Sequence, residues 1–194
     1  ANFNAGYRKE IPADMADLDD RQARTLWEAY MEKLICPDYR LTLQQKRRIQ
    51  NSLKYVLLSG IEHSDDRVRE EMLTIFYRWF DGSHELDEDA RFALLDAVFS
   101  MPAELCARSG RLDCLAEFAV DNMDHEDDRV RVAAVRALKV LTSVVTRENA
   151  CYERVRKAVT EMDTGSITMV FLQYRILTNL RLDTESQREI LYGS

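Results

Sequence analysis

A stretch of this chain is written twice. Leu53 to Trp79 returns 62 residues later as Leu115 to Leu141, and the match is densest where His63-Ser64-Asp65-Asp66-Arg67-Val68-Arg69 meets His125-Glu126-Asp127-Asp128-Arg129-Val130-Arg131. On either side it relaxes to residue class, pairing Leu53 with Leu115, Val56 with Phe118, Leu58 with Val120, Ile61 with Met123, Phe76 with Leu138 and Trp79 with Leu141. An internal repeat is one supersecondary unit used more than once, so it constrains the architecture before any other feature does. Each copy reads as helix, tight turn, helix. The first helix stops at Gly60 or Asn122, residue types that readily take the left-handed conformation after a helix. An apolar residue, Ile61 or Met123, follows as a seal. Acidic and small polar residues come next (Glu62, Ser64, Asp65, Asp66; Asp124, Glu126, Asp127, Asp128), suited to capping the next helix and to its positive end.

The second helix of the first copy carries Val68, Met72, Ile75, Phe76 and Trp79 on one face, and its counterpart carries Val130, Ala134, Ala137, Leu138 and Leu141. Both stripes follow the helical period and define a buried side. Helix pairs whose second member opens Asp-x-x-Val-Arg resemble HEAT-like (armadillo-type) repeats, on Asp65, Val68 and Arg69 and on Asp127, Val130 and Arg131. The resemblance implies an all-α fold, a short right-handed α-solenoid of antiparallel helix pairs. It also implies neighbouring repeats tied through the turn Asp and helix Arg, and an activity of binding. A non-solenoid helical bundle is the alternative. An offset of 62 residues exceeds the roughly 40 of such a repeat, so a further helix is inserted between the copies. Asp87, Ala90 and Arg91 carry a weaker form of the motif, 40 residues before Asp127, Val130 and Arg131.

Only 6 Gly and 3 Pro in 194 residues argue against an all-β sandwich or barrel, which needs many turns. Residues 1–13, with Gly6 and Pro12, read as a flexible arm, and 14–194 as a single helical-repeat domain. The first helix is expected over about 17–35, with Ala23, Trp27, Tyr30, Met31 and Leu34 buried, and ends before Pro37. Thr42 and Gln45 form a capping box for the second, and Thr184 and Gln187 one for a last helix to about Tyr192. Between them, helices are expected over about 86–101, 104–121, 127–145, 149–162 and 166–182. The last of these is the most apolar, so Ile167, Val170, Phe171, Tyr174, Leu177 and Leu180 are expected to lie deep or beneath the end segment. About eight or nine helices result, with short connections that favour antiparallel neighbours.

The longest apolar run, near Met169 to Leu172, is far short of the roughly 20 residues that span a bilayer. With no basic-then-apolar leader, a soluble, cytoplasmic protein is expected. Cys36, Cys106, Cys114 and Cys151 form no C-x-x-C pair and read as small buried hydrophobes in a reducing compartment. That reading outweighs a metal site drawn from Cys106, Cys114 and His125. H-E-x-x-H, a Gly-rich phosphate loop and G-x-S-x-G are all missing from the sequence, so neither catalytic residues nor a cofactor or metal are expected. His63 and His125 occupy equivalent turn positions, which suits a structural role such as donating to a nearby carbonyl; His84 lies in a polar loop.

The net charge of −7 is unevenly spread. Residues 39–61 hold five basic and no acidic residues. Residues 81–128 hold 14 acidic and 3 basic, a local −11, and 129–157 hold 8 basic and 2 acidic, a local +6. Such segregation steers charged partners, or else acidic and basic helices pair internally. The reading is a non-catalytic protein-protein interaction module, an adaptor, regulator or inhibitor that binds a segment of another protein on a charged solenoid surface. The alternative is nucleic-acid binding through Arg136, Lys139, Arg147, Arg154, Arg156 and Lys157, since HEAT-like folds include DNA glycosylases that hold duplex in a basic groove.

Overall fold

The computed structural model describes residues 21, 22, 25, 29, 41–49, 66–78, 86–108 and 110–181; the side chains of 68, 69, 71–73, 75, 105 and 108 are not described. Every regular element among these residues is helical. In chain order the helices are α1 (Asp66–Arg78), α2 (Glu88–Ser100), α3 (Ala103–Arg108), α4 (Leu112–Asp121), α5 (Asp128–Leu141), α6 (Tyr152–Glu161) and α7 (Ile167–Arg181). Residues 43–49 are helical too, as are 21, 22, 25 and 29. The chain divides into two compact units, residues 1–93 and 94–194, the division falling inside α2. The N-terminal arm, most of the first expected helix, the turn through Gly60 and His63, Trp79, His84 and the last expected helix lie outside the described residues.

In the first unit the expected capping box is present in both directions. The Thr42 N–H donates to Gln45 Oε1 at 2.8 Å and the Gln45 N–H to Thr42 Oγ1 at 3.2 Å, so two otherwise unpaired donors at the helix start are satisfied. One turn later, Lys46 Nζ meets the buried carboxylate of Asp89 at 2.5 Å. This bond and the charge of Asp89 raise the Lys46 pKa. In α1, Phe76 is buried as its stripe requires. Tyr77 is buried as well, against its expected place off the stripe. Its ring tilts at 59° to that of Phe76 with centroids 5.5 Å apart, a favourable aromatic geometry that widens the buried face.

The second unit contains two helix pairs. Helix α4 packs against α5 and α6 against α7, while α6 also packs on α4 and α7 on α5. Small residues allow this: Ala116 and Ala119 of α4 and Ala134 and Ala137 of α5 are fully buried, with Leu115, Val130, Leu138 and Leu141 filling the space between. Helix α3 also packs against α5.

Side chains from neighbouring helices fix the register. An α-helix leaves its first four N–H and last four C=O groups unpaired, and several of these groups are met from another helix. Asn179 Nδ2 of α7 donates to the Lys139 carbonyl of α5 at 3.2 Å, Gln173 Nε2 of α7 to the Val159 carbonyl of α6 at 2.9 Å, and the Tyr152 hydroxyl of α6 to the Leu180 carbonyl of α7 at 3.0 Å. At the start of α6, the Cys151 N–H donates to Asp113 Oδ1 of α4 at 3.0 Å. The bonds from Gln173 and Tyr152 make α6 and α7 antiparallel. Asn179 joins the C-terminal ends of α5 and α7, which therefore run the same way.

Three expectations change. The helix expected over about 104–121 is two, α3 and α4, because Gly110 sits between them at φ 69°, a conformation that breaks a helix and favours glycine. Asn122 is not left-handed: at φ −102° it ends α4 through its backbone N–H to the Ala119 carbonyl and its side-chain Nδ2 to the Phe118 carbonyl at 2.7 Å. Buried hydrogen bonding replaces the αL cap. In α7 the buried residues are Leu172, Ile176, Asn179 and Leu180, a face rotated away from most of the residues expected inside. Apolar side chains occur all round this helix, so periodicity alone does not set its rotation; the contacts with α5 and α6 do.

A β-carbon on Gly110 would have nothing within 4 Å, so replacing it tests backbone conformation alone. Gly110→Ala is expected to cost about 1 kcal/mol in urea unfolding and Gly110→Asn clearly less, since Asn tolerates positive φ. Equal stability of the alanine variant and the wild type would count against the left-handed turn.

Candidate functional site

The second copy of the motif builds a turn that closes on itself. Asp127 caps α5, its Oδ1 accepting the Arg129 N–H at 2.8 Å, and its carboxylate pairs with the Arg129 guanidinium at 2.8 Å. That guanidinium, with the capping N–H, holds the Asp127 pKa down at about 2. Two residues on, Arg131 Nη1 turns back to donate to the His125 carbonyl at 2.6 Å and the Glu126 carbonyl at 3.1 Å, and its other nitrogen pairs with Asp128. His125 Nδ1 accepts the Asp127 N–H at 3.1 Å, so this imidazole acts as acceptor where a donor was expected. The apolar position of the motif, Val130, is fully buried.

The same wiring recurs 40 residues earlier in the first unit. Asp87 Oδ1 accepts the Ala90 N–H at 2.9 Å, Arg91 Nε returns to the Leu86 carbonyl at 3.0 Å, and Ala90 is fully buried. Burial raises the Asp87 pKa, opposed by the Ala90 N–H. Asp65 and the side chains of Val68 and Arg69 lie outside the described residues. In this geometry Asp127 and Arg131 bond within one turn, not from repeat to repeat, so the motif shapes a helix start and is not itself a reactive site.

What the second unit leaves outside is a face of α7. Ile167, Val170, Phe171 and Tyr174 are 90%, 49%, 57% and 66% exposed, and their i, i+3, i+4, i+7 spacing places them on one stripe. Lys139 of α5 reaches over the Phe171 ring, Nζ 5.8 Å from its centroid, close enough for a cation–π contact. Beside the start of this stripe lies a groove of about 700 Å³ lined by residues of α5, the start of α7 and the turns before each. Met123, Val132, Val135, Met162 and Met169 make its apolar wall, and Asp124, Asp128, Arg131 and Asp163 stand at its polar edge. Sequence reasoning missed the groove because its walls come from three separate segments. The three methionines, each near a turn, were the available signal.

The basic residues singled out for nucleic acid come from two helices and the turn between them. Arg136 and Lys139 lie on α5, Arg147 in the turn after it, and Arg154, Arg156 and Lys157 on α6. Arg154 pairs with Asp121 at the end of α4, and Arg156 with Glu153 at 2.9 Å. Part of the charge segregation is therefore local and interhelical pairing.

Among the described residues no three His, Cys, Asp or Glu side chains gather as a metal site, and no helix is long and apolar enough to cross a membrane. The Cys106 thiol is buried and pushed up to about 12 by desolvation; Cys151 reaches about 12 through burial and the nearby Asp113 carboxylate. Neither holds an appreciable thiolate near neutral pH. No protein-family model, no curated protein and no solved structure matches this chain.

Two measurements check this geometry. Asp127→Ala is expected to cost about 1 kcal/mol. Because the folded carboxylate titrates lower than the unfolded one, its contribution is complete above the ordinary value of 3.8 and is lost as pH falls toward about 2; a carboxyl-carbon NMR titration reads this directly, and a midpoint near 3.8 would contradict the ion pair. In a Cys36→Ser, Cys114→Ser variant, Ellman's reagent at pH 8 should label Cys106 and Cys151 only after denaturant is added.

Proposed function

We propose that this chain is a non-catalytic protein-binding module, built as a short HEAT-like stack of helix pairs, that holds a segment of another protein on the outer face of α7. The observation that carries this reading is the exposed Ile167, Val170, Phe171 and Tyr174 stripe. Large apolar side chains scattered singly on a surface need no explanation, but a contiguous helical stripe beside a groove is how helical proteins hold partner segments. The far side of the same helix is packed, so the stripe sits on a supported element.

The pattern in which α6 packs on α4 and α7 on α5 supports the solenoid reading, since stacked pairs place first helix on first and second on second. The nucleic-acid alternative has less behind it. Phosphate binding needs several cations aligned on one surface, whereas Arg154 and Arg156 face carboxylates and Arg136 and Lys139 belong to a different helix.

The test is affinity capture from a lysate of the source organism with wild-type chain and a Phe171→Asp, Tyr174→Asp variant as baits, protein and nucleic acid being analysed separately. Both positions are exposed, so the variant is expected to keep its helical circular dichroism and to melt within a few degrees of wild type. A discrete protein bound by wild type and lost from the variant is expected. Identical captures, or nucleic acid alone released by salt, would remove the proposal.

A further inference from the structure

We infer that the groove beside α7 takes a basic amphipathic helix, an apolar side chain of the partner entering between Met123, Met162 and Met169 while its Lys or Arg residues meet Asp124 and Asp163. The inference rests on the reading of α7 as a binding face and names the chemistry of what binds there.

Shape and charge carry it together. The wall is apolar and adaptable: unbranched thioethers from three segments, with Val132 and Val135 behind them, a composition that repacks around varied aliphatic side chains. The groove opens at the start of α7, where Gly165 and Ser166 line it and Ile167, the first residue of the exposed stripe, follows. A partner helix that crosses the start of α7 therefore finds this notch beside the first residues of the stripe. The edge of that notch is negative. Arg131 already bonds Asp128 and two carbonyls of its own turn, which leaves the exposed carboxylates of Asp124 and Asp163 uncompensated by it. The starts of α5 and α7 each contribute a partial positive charge of about +0.5 at most, so the edge stays acidic. An acidic partner helix would meet like charge there and a purely apolar one would leave the carboxylates without counter-charge; a basic amphipathic helix satisfies both.

The test uses the full chain with ¹³C-methyl-labelled methionine and three synthetic peptides of about 14 residues, roughly four helical turns: an amphipathic leucine–lysine helix, its leucine–glutamate counterpart, and an all-lysine peptide. The leucine–lysine helix is expected to shift the Met123, Met162 and Met169 methyl signals and to bind at least about tenfold more tightly than either other peptide. Asp124→Asn with Asp163→Asn, both at exposed positions, should weaken it about three- to fivefold at low salt and hardly at all at high salt. Equal binding by the glutamate peptide, equal binding by all-lysine, or indifference to the two asparagines overturns the inference. So do unmoved methionine methyls; if the helix then still binds in a Phe171-dependent way, the face survives and the groove does not. Should no peptide bind, the inference falls, and the Phe171 and Tyr174 capture experiment reports separately on the binding-face reading.

Discussion

The second unit depends on how helix ends are satisfied. A backbone carbonyl or N–H left unpaired and buried costs on the order of 1–3 kcal/mol, so helices as short as α4 and α6 are stable in a packed stack only if their ends find partners. Here several of those partners are side chains of other helices: Asn179 on the end of α5, Gln173 on the end of α6, Tyr152 on the end of α7 and Asp113 on the start of α6. Each bond does two things. It satisfies an orphan group and it fixes how far one helix can slide along the next, a constraint that the non-directional burial of alanine and leucine cannot impose. Asn179 shows the coupling most clearly, because it also donates to Thr142 Oγ1 at 3.1 Å, and that hydroxyl in turn donates to the Leu138 carbonyl at 2.6 Å.

With register fixed in this way, the duplicated turn has a narrower task than its resemblance to HEAT-like repeats implies. Asp127, Arg131 and His125 tie the start of α5 to its own preceding loop, and Asp87 with Arg91 do the same before α2. The motif therefore specifies where a helix begins and in which direction the chain enters it, while the cross-helix bonds specify how the pairs of the second unit stack. Such a division of labour suits a repeat protein, in which turns must be reusable and stacking contacts can vary from one repeat to the next.

The surface follows from the same packing. Once Leu172, Ile176 and Leu180 turn toward α5 and α6, Ile167, Val170, Phe171 and Tyr174 on the opposite side of α7 face outward. The starts of α5 and α7 then stand close enough for three methionines to share a groove with acidic residues near the two turns. Charge that reads as segregated along the sequence is partly cancelled in space, Arg154 against Asp121 being the clearest case. What remains is a local contrast, apolar along the stripe and acidic at the groove edge.

Local features were legible in the sequence because their causes are local. The Thr42–Gln45 box, the Asp127 cap and the buried stripe of α5 each depend on residues within a turn or two of one another, where residue type and helical period decide the outcome. The weaker motif at Asp87 could be read for the same reason. The break at Gly110 was local too, but a single glycine inside an apolar pattern is ambiguous until its φ is known. The rotation of α7, the cross-helix bonds of Asn179 and Gln173 and the groove were settled only by tertiary structure. Their partners lie far apart in the chain, and a helix that is apolar on every side carries no sequence signal for which side will meet its neighbours.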